Sequence, residues 1–189
     1  WTKINNTSYV IKLKENIKWT DGNVLTAKDV QFTIDKLKDS NVTSIYTKNV
    51  QNVISVEVID DNTIRINLDK EVPFFEYNLT FPIMSYKYFA NEDFVNNSKN
   101  DIAVGTGRFK VTNEDGSIVL KKNQNWWNDE NNTTKINKIY LVKYNNMGEV
   151  YKAFKIGNID LVSTESLNIE DYIGTIGYVK YEYKARDYD

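Results

Sequence analysis

The chain has 189 residues, 24 Lys plus Arg against 26 Asp plus Glu, and a formal net charge of −2. That balance gives no electrostatic reason to expect nucleic acid or an anionic membrane as partner. Its composition, 41% hydrophobic and 26% charged, is that of a globular chain. Cys and His are both absent, which excludes disulfides, thiolate chemistry, ordinary zinc sites and a Ser-His triad within these residues. Carboxylate, Lys or Tyr chemistry and an oxygen-ligated cation site remain open.

Ser8 to Lys14 alternates apolar and polar residues, so a strand is expected with Tyr9, Ile11 and Leu13 on one face. Asn16 to Trp19 extends that strand or starts another, and Asp21-Gly22 signals a turn. Thr26-Ala27-Lys28-Asp29 has the form of a capping box, and Val30, Thr33, Ile34 and Leu37 follow at helical spacing, predicting a helix from Ala27 to Lys38. Val53 to Ile59 and Thr63 to Leu68 read as a hairpin around Asp60-Asp61-Asn62.

Pro73-Phe74-Phe75 is a candidate start for a short helix. The aromatic-rich stretch around Pro82 must be buried or form a contact surface. Asn91 to Asn100 reads as loop, and a domain boundary is placed near Asp101. Arg108 to Val111, entered through a tight turn at Gly105 to Gly107, and Ser117 to Lys121 are strands around a turn at Asn113 to Gly116, and Lys135 to Lys143 is a further strand. Asn146 and Glu149 form an N-cap pair for a helix carrying Met147, Val150, Tyr151 and Phe154, with Gly157 at its C′ position. Ile159 to Val162 and Tyr178 to Lys184 read as strands, and Ile169 to Tyr172 as a brief helix. Strands and helices mix without strict alternation, so the fold class is α/β or α+β with a mixed sheet.

Several candidate chemistries weaken on inspection. Gly105-Thr106-Gly107 runs into strand-like Arg108 to Val111 instead of a helix, so a tight turn fits better than a phosphate loop. Asp60-Asp61-Asn62 lacks the spacing of a calcium loop. Glu114-Asp115 and Asp129-Glu130 fall in polar turns. Trp126-Trp127 offers a stacking platform, with packing the commoner use of such a pair. The chain starts at Trp1 without a Met and stops after a strand-like run, which predicts a piece of a longer polypeptide.

Tyr9 to Val30, containing Trp19-Thr20-Asp21-Gly22 and Leu25-Thr26-Ala27-Lys28-Asp29-Val30, resembles the signature of the family 5 solute-binding proteins, the oligopeptide-, dipeptide- and nickel-binding receptors of ABC importers. Asn16 and Val24 depart mildly from its usual Gly and Pro. Val104 to Val111, Leu120 to Trp127, and Ile136 to Tyr144 followed by Val150 to Leu161 with Gly157-Asn158-Ile159-Asp160 resemble three later motifs in the same order, with Arg108 replacing a Pro.

The resemblance implies a partial periplasmic-binding-protein-like II fold of mixed α/β class. Residues 1–100 would form the extra subdomain of the first lobe and 101–189 part of that lobe's core, with the second lobe elsewhere. It further implies an extracytoplasmic, non-catalytic and monomeric component that holds a peptide, uses no cofactor or metal, and works with ABC permease subunits. Such a component is periplasmic or anchored outside the cell as a lipoprotein. Ligand contacts would come from Tyr46, Ser163, Thr164, Glu165, Tyr183 and Arg186. A nickel or metal-chelate receptor and the sensing module of a regulator are the alternatives within this fold, and a carboxylate enzyme is a distant third.

Overall fold

The computed structural model describes residues 1–90, 98–102, 104–128, 134–164, 177–179 and 181. The chain divides into two compact units, Trp1–Val142 and Lys143–Asp189.

In the first unit, β1 (Thr2–Asn5), β2 (Ser8–Lys12), β3 (Val53–Asp60) and β4 (Thr63–Leu68) form a four-stranded antiparallel sheet in the order β1-β2-β4-β3. The alternation of β2 and β4 turns Tyr9, Ile64, Ile66 and Leu68 into the core, with Ile11 and Leu13 packed beside them. Strand β1 gives no signal in the sequence because all four of its residues are exposed. Backbone pairing with β2 defines it instead.

Helix α1 (Ala27–Lys38) has the predicted limits and lays Val30, Ile34 and Leu37 onto this sheet. The Asp60-Asp61-Asn62 turn is tied to both neighbours. Ala27 N donates to the Asp61 carbonyl at 2.7 Å, and Leu13 N donates to the Asn62 carbonyl at 2.7 Å. Asp60 accepts from the Asn62 backbone N–H, which holds its carboxyl below the ordinary range. A shorter helix, α2 (Tyr86–Phe89), follows the aromatic-rich stretch around Pro82.

A second, three-stranded antiparallel sheet contains β5 (Phe109–Glu114), β6 (Ser117–Lys122) and β7 (Lys138–Tyr140). Asp115 and Gly116 both have positive φ, 50° and 83°, the type I′ geometry whose twist suits a two-residue hairpin.

Some expected elements are shorter or absent. The strand expected from Arg108 begins one residue later, at Phe109, behind the bend expected at the glycine pair. The one predicted over Lys135 to Lys143 shrinks to Lys138–Tyr140, which among the described residues pairs on one side only, against β6. Asn16 to Trp19 contributes a single bridge, Lys18 to Val24. Pro73 does not head a helix: Phe74 takes a left-handed conformation with φ 55° and a 3-10 turn follows over Phe75–Asn78. That turn sends Phe75 into the core against Tyr9, ring centroids 5.2 Å apart. Ile159 to Val162 is not a strand, having no ladder partner among the described residues. Residues 178, 179 and 181 are likewise not in a strand, and the rest of that run and Ile169 to Tyr172 lie outside the described residues.

In the second unit, α3 (Met147–Lys155) is capped as its sequence predicts. Asn146 Oδ1 accepts from Glu149 N at 3.0 Å. At the other end Gly157 has φ 78°. Its N–H donates to Phe154 and that of Asn158 donates to Ala153, which together make a Schellman motif.

Candidate functional site

Three of the segments that carry the resemblance meet within the first unit. Thr20 N donates to the Gly105 carbonyl at 2.8 Å, and Gly105 N donates back to Thr20 Oγ1 at 3.2 Å. Asn123, only 3% exposed, joins the next pair of segments. Its amide donates to the Gly107 carbonyl at 2.8 Å, its backbone N–H donates to the Arg108 carbonyl at 2.8 Å, and its Oδ1 accepts from Asn125 N at 3.0 Å. One buried side chain therefore fixes the glycine turn and the turn carrying Trp126-Trp127. Nothing in composition or periodicity singles out Thr20 or Asn123; their place inside the motifs is the available signal.

Each ring of the tryptophan pair carries one of the chain's own cations over a face. The Arg108 guanidinium lies 4.5 Å from the centre of the Trp126 ring, and the Lys14 ammonium 4.2 Å from that of Trp127. Both contacts are of cation–π type. Stacking of a ligand on those faces would have to displace them.

Asp29 and Thr33 of α1 hold a second junction. Both are buried. Asp29 Oδ1 accepts from Tyr86 N at 2.7 Å while Oδ2 accepts from Thr26 N at 2.7 Å. Thr33 Oγ1 accepts from Met84 N and donates to the Asp29 carbonyl, both at 2.8 Å. The aromatic-rich stretch around Pro82 is thereby stitched to the helix. Glu114 of β5 receives Lys121 of β6 and Lys138 of β7, which lower its pKa, and that contact raises the pKa of Lys138.

The six residues expected to touch ligand are distributed as follows. Tyr46 is half-buried against the core of the first unit and precedes a 3-10 turn, Thr47–Val50. Ser163 and Thr164 belong to the second unit, in the irregular chain after α3, where Thr164 Oγ1 and Tyr151 Oη are hydrogen-bonded at 2.8 Å. Glu165, Tyr183 and Arg186 lie outside the described residues. Among the described residues no group of three or more acidic side chains is placed to hold a metal ion, and no helix is long and apolar enough to cross a membrane.

Residues 1–188 match the family described as bacterial extracellular solute-binding proteins, family 5 Middle. The chain belongs to this family. Among family 5 relatives, the oligopeptide-binding protein OppA of Bacillus subtilis is 26% identical over 180 residues, which is 84% of this chain and 32% of that protein. The crystal structure of a peptide binding protein designated AppA, from Clostridium difficile, shares 30% identity with a TM-score of 0.71, over 82% of this chain and 33% of that one. That of NikZ from Campylobacter jejuni in complex with Ni(L-His) shares 24% identity with a TM-score of 0.74, over 84% of this chain and 32% of that one, a likeness of fold. The chain thus spans about a third of the length of these family 5 proteins. The mixed α/β architecture is a partial periplasmic-binding-protein-like fold, as the motifs implied.

Proposed function

We propose that this chain is part of the peptide-binding component of an ABC import system, acting outside the cytoplasm and changing no covalent bond. The observation that carries this reading is the family 5 match across residues 1–188, supported by relatives named for peptide binding. In this reading residues 1–100 are the extra subdomain of the first lobe and residues 101–189 part of that lobe's core. The remaining polypeptide supplies the second lobe. Tyr46, Ser163, Thr164, Glu165, Tyr183 and Arg186 contact the ligand.

The physical logic favours backbone recognition. Every peptide presents the same N–H and C=O groups, so an extended ligand bound through strand-like hydrogen bonds is held with little dependence on its sequence. Bridging water then accommodates varied side chains. The component is a monomer that delivers peptide to membrane permease subunits, either free in a periplasm or anchored as a lipoprotein. Calorimetry of the full-length protein against a peptide library tests the assignment. Binding of several peptides of one length range is the expected result. Failure to bind any peptide, together with tight binding of another solute such as a nickel chelate, would overturn it.

A further inference from the structure

Two cations, Lys14 and Arg108, meet on the Trp126-Trp127 pair of the first unit, and the structure assigns to this cluster a binding site for an organic carboxylate. The two indole rings lie 5.8 Å apart, tilted by 55°. The Arg108 guanidinium stands over Trp126 and the Lys14 ammonium over Trp127. Both cations are exposed. The assignment does not depend on which solute the whole protein carries.

Neither charge is neutralised inside the protein. Among the described residues, Lys14 and Arg108 have no ion pair and no side-chain hydrogen bond. Glu15, the acid next to Lys14, pairs with Lys12 at 3.6 Å instead. Glu114, at the end of the strand that Arg108 leads into, is occupied by Lys121 and Lys138. An indole face attracts a cation but gives it no acceptor for its N–H groups. The five guanidinium donors and the three ammonium donors are therefore left without a protein acceptor.

The cluster is held in place from beneath. Buried Asn123 donates its backbone N–H to the Arg108 carbonyl at 2.8 Å, and its own carbonyl accepts from Trp126 N at 3.3 Å. Lys14 follows Leu13, whose N–H is fixed on the Asn62 carbonyl at 2.7 Å. Arg108 stands where the family motif has a Pro, so this half of the cluster is not part of the shared scaffold.

Charge and surface select the occupant. Two positive charges without a counter-charge select an anion. The planar guanidinium fork matches a carboxylate through two parallel hydrogen bonds. Trp127 is 44% exposed, which gives the hydrocarbon body of an organic acid an aromatic surface to lie against. Inorganic phosphate would reach the same cations and leave that surface wet.

NMR of the full-length protein titrated with benzoate, read at the indole N–H signals of Trp126 and Trp127, tests the site. The expected result is a saturable shift at both, half-complete on the order of 1 mM, the strength of a few charge-assisted hydrogen bonds. Benzamide, of the same shape without the charge, and inorganic phosphate should each bind at least fivefold more weakly. Arg108→Gln should weaken benzoate binding at least fivefold and Lys14→Gln at least twofold. Arg108→Lys, which keeps the charge and loses the fork, should fall between wild type and Arg108→Gln. An acetylated peptide amide carrying two Glu residues separates the two sources of such a group: tighter binding than benzoate assigns the site to an acidic polypeptide segment, weaker binding to a free acid. Any of four results would overturn the proposal: no shift at these indoles up to about 50 mM benzoate, equal affinity for benzamide, phosphate bound as tightly as benzoate, or unchanged affinity in folded Arg108→Gln.

Discussion

Replacing Asp29 with Ala should be among the most damaging single changes in the first unit. The side chain is only 3% exposed, and its two oxygens accept separate backbone N–H groups, one from Thr26 at the start of α1 and one from Tyr86, fifty-seven residues after Asp29, each at 2.7 Å. Hydrogen bonds to a charged group contribute about 1.5–3 kcal/mol each. The Thr26 bond lies at a helix start where water can partly replace it, so a capping value of ~1 kcal/mol is the fitting figure. The Tyr86 bond keeps the full range, because the segment it holds packs over the core. The sum is roughly 2.5–4 kcal/mol, which at ~2–4 °C per kcal/mol lowers Tm by roughly 5–16 °C in a domain of this size. Urea and thermal unfolding of the full-length protein measure the global effect. Amide hydrogen exchange at Tyr86 measures the local one. Asp29→Asn, which keeps the shape and one carbonyl acceptor, should fall between wild type and Asp29→Ala. A loss below ~0.5 kcal/mol, the size of an ordinary surface substitution, would refute this account of the junction. So would an unchanged exchange rate at Tyr86.

Asn123→Ala removes the donor to Gly107 and the acceptor for Asn125 in a buried position; denaturant unfolding should register a loss of roughly 2–3 kcal/mol, and the indole fluorescence of Trp126 and Trp127 should change as their turn loosens. Gly22 has φ 90° and open space where a side-chain carbon would stand, so Gly22→Ala should cost about 1 kcal/mol in thermal unfolding through backbone strain alone. Glu114 has a folded pKa held below its ordinary value near 4.5 by Lys121 and Lys138, so its contribution is present above that ordinary value and is lost as pH falls through the lowered one. Lys138 has the opposite sign, its contribution holding below about 10.5 and fading as pH rises through its raised value. The stability difference between wild type and Glu114→Gln, followed by urea unfolding across pH, should therefore be level near neutrality and shrink at both extremes; a difference independent of pH would contradict the pairing.

The elements legible in the sequence are those whose stability is local. Helix α1 carries its cap, its acidic first turn and its apolar stripe within twelve residues, Ala27–Lys38. The β3–β4 hairpin carries its turn and its alternation together. Helix α3 ends at a glycine that the geometry of its last turn requires. What stays hidden depends on distant partners. Strand β1 exists only through β2, and the ends of β7 stop where pairing to β6 stops. Ile159 to Val162 has the composition of a strand and no neighbour to pair with among the described residues. The candidate site divides in the same way. The motifs are readable in order, while the use of Thr20, Asp29 and Asn123 as joints between segments 57 or more residues apart, or between neighbouring turns, emerges only when the chain is folded.

That division explains what the family motifs do and do not encode. Thr20 and Gly105 hydrogen-bond to each other, Gly107 and Asn123 do the same, Asp29 closes a helix start and grips Tyr86, and Gly157 ends α3. Each position is constrained by backbone geometry or by a buried hydrogen bond, and each is used to hold segments together. A side chain whose polar atoms are satisfied inside the protein has little left to offer a solute. A sequence can therefore satisfy every one of these motifs without specifying its ligand, and relatives matched to this scaffold are named for an oligopeptide and for a nickel–histidine complex alike. Under the proposed function, ligand choice resides outside these joints. In that reading, exchanging Ser163 and Thr164 for the residues of a relative with a different solute should change which ligand binds in calorimetry, and loss of the Thr164–Tyr151 hydrogen bond should cost about 1 kcal/mol in unfolding. Exchanging Asn123 should lower stability further and leave the ranking of ligands intact.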